Sequence, residues 1–227
     1  MPETKEPQSQ KAKKIQEKDF ITVEYTAKLE DGTVFDTTNE QIAKDAGIHS
    51  ENTAYGDVTI CVGKGHLLAG LDKALVGATI GEHTIMLPPE NAFGKKSAKL
   101  IQLVSTNKFK KQGIQPYPGL QVNIDGSIGT IKNISGGRTL VDFNHPLSGH
   151  PITYDVTIKR IVTDPAKQLD AVVKLTLGSS ADSGLAEGVA KVKTKNPVPE
   201  QIQAEVKSQV IDCIPSIKDV QFDTTGK

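Results

Sequence analysis

Gly63-Lys64-Gly65, with Gly70 close behind, has the composition of a loop that cradles phosphate. Successive glycine N–H groups can converge on an anion, and a lysine can add its charge. The spacing does not fit. A phosphate loop reads G-x-x-x-x-G-K-[ST] and a dinucleotide loop G-x-G-x-x-G, whereas this stretch reads GKGHLLAG. It is read as a tight strand-to-helix turn. The histidines at 49, 66, 83, 145 and 150 form neither HxxxH nor HxH, and no paired cysteine joins them, so no metal site is expected, even at His145 and His150. Cys61 and Cys213 stand alone and make neither a disulfide framework nor a CxxC pair. Serine, histidine and aspartate all occur, yet no GxSxG elbow frames a nucleophile. Asn133-Ile134-Ser135 matches a glycosylation sequon, but no secretion signal accompanies it. Bond-making chemistry and cofactor binding have no support.

What remains is a set of aromatic and acidic residues on apolar strands. Ile21, Val23, Tyr25, Ala27 and Leu29 alternate with polar residues, the period of a half-buried strand. Asp31-Gly32 marks a turn, and Thr33 to Phe35 resumes the extended pattern, so the two runs form a hairpin. Asp36 follows Phe35 directly. A carboxylate at the end of an apolar strand is costly to bury without partners, and the Tyr25 hydroxyl is the group best placed to satisfy it. Residues 37–56 read as a long loop or a short helix. Val58, Ile60 and Val62 make another strand. Leu67, Leu68, Leu71 and Leu75 recur at helical spacing, with Gly77 as cap, giving one short helix with a single apolar face. Ile85 and Leu87 alternate until Pro88-Pro89 stop the strand. Ile152 to Val162 is a long strand with Tyr154, Val156, Ile158 and Val162 on one face.

Between these strands, residues 95–143 differ in character. They carry Pro116, Pro118, a Gly136-Gly137 turn and short β-like runs near 120–124, 128–134 and 139–143. So long a structureless loop is unusual in a compact domain, so the segment reads as a small inserted β domain. Asp164-Pro165 marks a further boundary. Beyond it, Ala171 to Leu177 reads as a strand, Pro197 and Pro199 lead into a helix bearing Ile202, Val206 and Val210, and Val220 to Phe222 reads as a last strand. Residues 1–18 are polar, with Pro2 and Pro7, and read as a flexible tail. With no apolar run of about 18 residues and no signal-peptide core, the expected compartment is the cytoplasm, with no membrane partner.

Lys plus Arg number 27 and Asp plus Glu also number 27, a balance that argues against a generally basic nucleic-acid binder. The zero is a cancellation: residues 19–94 carry −8 and residues 95–150 carry +6. The basic segment could attract phosphates, but its aromatics are Phe109, Tyr117 and Phe143 with no stacking motif, so no nucleic-acid partner is expected.

Three stretches together are specific: EYTAKLEDGTVFDTT over 24–38, VGKGHLLAGLDKAL over 62–75 leading to PPENAFG over 88–94, and NHPLSGHPITYDVTIKRI over 144–161. In this order they resemble FK506-binding-protein (FKBP) type peptidyl-prolyl cis–trans isomerases. The NHPLSG run after a long segment is similar to the SlyD-like branch, and the C-terminal extension is similar to the archaeal long type. The resemblance implies an α+β fold, a curved antiparallel sheet around a short helix, formed by residues 19–94 and 144–162. An inserted flap domain at 95–143 and a C-terminal α/β domain at 163–227 complete it. It implies catalytic roles for Tyr25, Phe35, Asp36, Leu68, Phe93 and Tyr154, and substrate-binding roles for Ile60, Leu67 and Leu71, with no metal and no cofactor. Asp36 would orient wall groups and the Leu68 N–H would anchor a substrate carbonyl. Leu71 stands where many relatives have a Trp floor, and Phe93 where many have a Tyr whose hydroxyl bonds the substrate.

The function so implied is isomerisation of proline-containing peptides in protein folding. The insert, with Ile114, Leu120, Ile128, Leu140 and Phe143 among basic residues, would bind unfolded polypeptides and deliver them to the pocket. The runner-up, motivated by the Leu71 and Phe93 departures, is a chaperone-like binding protein with a weakened isomerase site. Residues 163–227 leave self-association as a homodimer open.

Overall fold

The computed structural model describes residues 13–178 and 181–224; residues 1–12 of the expected tail lie outside them. The chain divides into two compact units, one drawn from Met1–Leu87 and Ile152–Lys227, the other from Pro88–Pro151. In chain order the first unit begins with β1 (Phe20–Leu29), β2 (Val34–Thr37), α1 (Glu40–Asp45), β3 (Val58–Cys61), α2 (Ala69–Leu75) and β4 (Gly81–Leu87). Asp31 closes the β1–β2 turn by accepting the Thr33 N–H at 2.9 Å. Asn39 caps α1 by accepting from Gln41 and Ile42. Residues 13–18 are seated rather than part of a tail. Ile15 is buried, and its N–H and C=O bond Ala78 and Gly77 at 2.8 Å each. A lone apolar residue among lysines has no period to betray such an anchor.

The second unit carries β5 (Ile101–Ser105), α3 (Thr106–Lys111), β6 (Gln121–Ile124), β7 (Ser127–Ser135) and β8 (Arg138–Asp142). The strands form an antiparallel sheet in the order β5-β8-β7-β6. Phe109, Val122, Ile131 and Val141 form its small core, with Leu120 and Phe143 packed against it. The unit is wider than the expected 95–143 at both ends. Asn144 bonds Ser97 in both directions at 2.8 and 3.1 Å, and the Gly149 N–H bonds the Gly94 carbonyl at 2.8 Å, so the flanks are tied side by side.

The chain returns to the first unit with β9 (Ile152–Val162), α4 (Pro165–Leu177), β10 (Asp182–Ala186), β11 (Val189–Thr194), α5 (Glu200–Cys213) and β12 (Asp219–Thr224). Its main sheet runs β2-β1-β9-β4, all antiparallel, with β3 also paired to β1. Ile152, Tyr154, Val156 and Ile158 are buried at alternate positions, and a bulge opposite Thr22 and Val23 breaks the alternation before Ile161 and Val162. The strand expected over 171–177 is helix. Asp164 accepts the Ala166 N–H, Pro165 occupies the first turn, and Leu169, Val172 and Val173 bury one face. The β-branched pair Val172-Val173 suggested a strand because the window was too short to show the helical period. Residues 163–224 do not form a core of their own. Leu169, Val172, Val206, Val210, Cys213 and Val220 share one with Phe20, Cys61 and Val162 of the main sheet. Phe20 faces Cys61 and Val162 in register, so β1 presents this row to the C-terminal layer and its odd-numbered residues to the opposite side.

Candidate active site

Period two on β1 sets the site. Ile21, Val23, Tyr25 and Ala27 project to one face. Register places Ala27 between Asp36 of β2 and Tyr154 of β9, and Ile85 of β4 beyond Tyr154. The single methyl of Ala27 leaves room between a carboxylate and a phenol. Tyr25, one diagonal step along, donates its hydroxyl to Asp36 Oδ2 at 3.1 Å and meets the Tyr154 ring edge-on at 5.9 Å. The bond expected between Tyr25 and Asp36 is therefore present. The Tyr25 backbone is itself fixed, since its N–H reaches Thr38 Oγ1 at 3.0 Å and its carbonyl accepts the Thr38 N–H at 3.0 Å.

Electrostatics follow from burial beside one anion. Burial first, then the Asp36 charge and the bond to it, holds the Tyr25 phenol above the usual tyrosine range. Burial and the Asp36 charge push Tyr154 up to about 12. Both phenols are neutral donors at any physiological pH. Ile60 lies opposite Ile21 on the same face and is fully buried, as is Leu71 of α2. Leu67 and Leu68 are half-buried where α2 begins. Leu68 is the N-cap, and its N–H has no acceptor among the described residues. Phe35 is half-buried on β2 beside Asp36. Phe93 belongs to the second unit, where its ring stacks on His145 at 4.4 Å, the planes 1° apart. The first unit thus brings Tyr25, Asp36 and Tyr154 together. Phe93 is assigned to the site by resemblance alone.

Sequence reasoning passed over Asp72. It is buried on α2, and its two oxygens accept the Gly63 and Gly65 N–H groups at 2.8 and 3.0 Å. The signal was an acid on the leucine-faced helix, one turn after Leu68 and beside a glycine-rich turn. It also passed over His66, whose Nδ1 accepts the Cys61 N–H at 3.0 Å. Burial lowers the His66 pKa, opposed by the Asp72 charge.

The first unit carries the Tyr25–Asp36–Tyr154 cluster on an antiparallel sheet together with one short helix that buries Leu71 and Leu75, and the second is a small β unit inserted between β4 and β9. The FKBP-type peptidyl-prolyl cis-trans isomerase family matches residues 11–110, and the FKBP26 IF domain matches residues 102–147. The chain is 34% identical over 158 residues to the FKBP-type 16 kDa peptidyl-prolyl cis-trans isomerase of Escherichia coli, covering 67% of this chain and 95% of that one. It is 28% identical over 148 residues to the short-type peptidyl-prolyl cis-trans isomerase of Methanocaldococcus jannaschii, covering 65% and 94%. It is 29% identical over 152 residues to the SlyD isomerase of Aeromonas hydrophila, covering 66% and 65%. The chain belongs to the FKBP-type peptidyl-prolyl cis–trans isomerase family. It is an isomerase acting on proline-containing peptides, with an insert of the kind its SlyD-like relatives carry.

Proposed function

We propose that Tyr25, Phe35, Asp36, Leu68 and Tyr154 act on the prolyl bond over a floor of Ile60, Leu67 and Leu71, with Phe93 assigned by resemblance. The observation that carries this is the Tyr25–Asp36–Tyr154 cluster, held in the same compact unit as the buried Ile60 and Leu71. Rotation about an X–Pro bond meets a barrier of about 18–20 kcal/mol from amide resonance and neither makes nor breaks a covalent bond. The task is to bind the twisted amide more tightly than either planar isomer. An apolar floor holds the proline ring, a contribution of about 1.5–3 kcal/mol for a side chain of that size. Low-polarity walls disfavour the planar, more polar amide, and Asp36 keeps the Tyr25 ring in place. The Leu68 N–H, which has no acceptor among the described residues, is suited to anchor a substrate carbonyl. A protease-coupled assay on an Ala-Leu-Pro-Phe peptide tests the reading. Asp36→Ala lowers kcat/KM at least ten-fold, whereas Glu82→Ala, on the exposed side of β4, leaves it unchanged. Equal activity of Asp36→Ala and the unaltered chain would remove the assignment.

The insert is read as the capture site for unfolded chains, in a cytoplasmic protein. Leu103, Tyr117 and Ile128 are 60%, 58% and 68% exposed in a unit of basic character, which favours polypeptide over nucleic acid. Homodimerisation through the C-terminal layer is supported by β10 and β12 being edge strands among the described residues, and light scattering of the full chain and of a chain ending at Val162 tests it.

A further inference from the structure

The turn that lacks a phosphate loop's spacing does hold an anion, and the anion is the chain's own. Gly63 and Gly65 have φ of +81° and +71°, the left-handed region that favours glycine. In that conformation their N–H groups form a concave nest. The Asp72 carboxylate fills it, one oxygen on each amide at 2.8 and 3.0 Å. Asp72 is only 4% exposed, so these charge-assisted bonds are made away from competing water. The same residue donates its backbone N–H to the Leu68 carbonyl at 2.9 Å. One side chain and its own amide therefore close both ends of the loop 63–68. The lysine between the glycines does not share this anion; its ammonium pairs with Asp212.

We propose that Asp72 is a positioning residue of the isomerase site. It touches no substrate. It fixes the backbone that presents Leu67 and Leu68, and it sits next to Leu71 of the floor, so a slack loop misplaces rim and floor together. The proposal rests on Leu67 and Leu71 binding the substrate and on the Leu68 N–H anchoring its carbonyl. A loop that positions a ground-state anchor acts on binding, so its loss raises KM more than it lowers kcat.

Asp72→Asn keeps the shape and removes the charge. In the peptide assay on the full chain, KM is expected to rise about ten-fold with kcat changed less than three-fold. The Gly63 and Gly65 amide resonances should move while that of Gly32 stays. Asp72→Glu, which restores a carboxylate, should recover at least half of the lost kcat/KM. A fall in kcat at unchanged KM, the mark of a smaller folded fraction, overturns the proposal, as does unaltered kinetics with shifted Gly63 and Gly65 resonances. If Asp72→Asn does not fold, Asp72→Glu decides alone: any shift of the Gly63 and Gly65 resonances must come with a rise in KM, and shifted resonances at unaltered KM refute the role. Asp36→Ala in the same assay tests the site assignment separately. Loss of activity there, with Asp72 variants kinetically normal, sinks this inference and leaves the site standing.

Discussion

Gly129→Ala should loosen the insert and leave the isomerase sheet intact. Gly129 lies on β7 with no unusual φ, so backbone strain plays no part. A Cβ there would sit 2.6 Å from Val141 Cγ1 and 2.8 and 2.9 Å from two ring carbons of Phe143. Carbon atoms pack at about 3.5–4.0 Å, so both side chains must move. Overpacking of this kind costs about 1–3 kcal/mol. The insert has little in reserve, since its fully buried core is Phe109, Val122, Ile131 and Val141, and a core of that scale supplies about 3–5 kcal/mol. Hydrogen exchange read by mass spectrometry resolves the effect by segment. Protection over 120–143 should fall roughly five- to 150-fold, the equivalent of that free energy. Protection over β1 and β9 should not change. Equal loss across β1, β9 and the insert would show one cooperative unit, and unchanged protection over 120–143 would show that the glycine site has room; either refutes the reasoning.

Three further outcomes follow from the first unit. Tyr25→Phe removes the donor to half-buried Asp36 and should cost about 1–2 kcal/mol in urea unfolding, with a several-fold lower kcat/KM; no change in either contradicts the role of that bond. Ile15→Ala should cost about 2–4 kcal/mol at constant m-value, whereas a true tail residue would cost nothing measurable. Because burial depresses the folded His66 pKa below 6.5, the unfolded chain takes up that proton first. His66 therefore lowers stability progressively as pH falls through about 6.5 towards its folded pKa, and costs nothing above it. His66→Gln should flatten the loss of unfolding free energy between pH 7.5 and 5.5, and an unchanged slope would contradict this.

The first unit was legible where apolar and polar residues alternate along a strand. Ile21 to Leu29 and Ile152 to Val162 carry a clean period of two, and Leu67 to Leu75 a helical one, so the strands, the helix and the Tyr25–Asp36 bond could be read from residue types. Strand order could not, because pairing depends on register between segments more than a hundred residues apart. Helix α4 was misread because Val172 and Val173 favour strands locally, while the Asp164 cap and the core shared with Phe20 and Cys61 decide the matter tertiarily. Ile15 and Asp72 escaped for a related reason. Each is one residue whose importance comes from partners distant in sequence or on the backbone, and no pattern records it. Phe93 and the NHPLSG run were placed with the isomerase domain by motif order, whereas they fall in the second compact unit, where the Gly149 N–H bonds the Gly94 carbonyl.

Labour is divided between a cup that turns the prolyl bond and an insert that captures the chain. The direct test replaces residues 95–143 by a short glycine-containing linker; Asn144, next to one cut end, bonds Ser97, three residues from the other, in both directions. The measurement is kcat/KM on the tetrapeptide against catalysis of a proline-limited protein refolding reaction. Tetrapeptide activity should stay within about three-fold, and refolding catalysis should fall ten-fold or more, about 1.4 kcal/mol of transition-state stabilisation. Equal refolding catalysis with and without the insert would contradict the division.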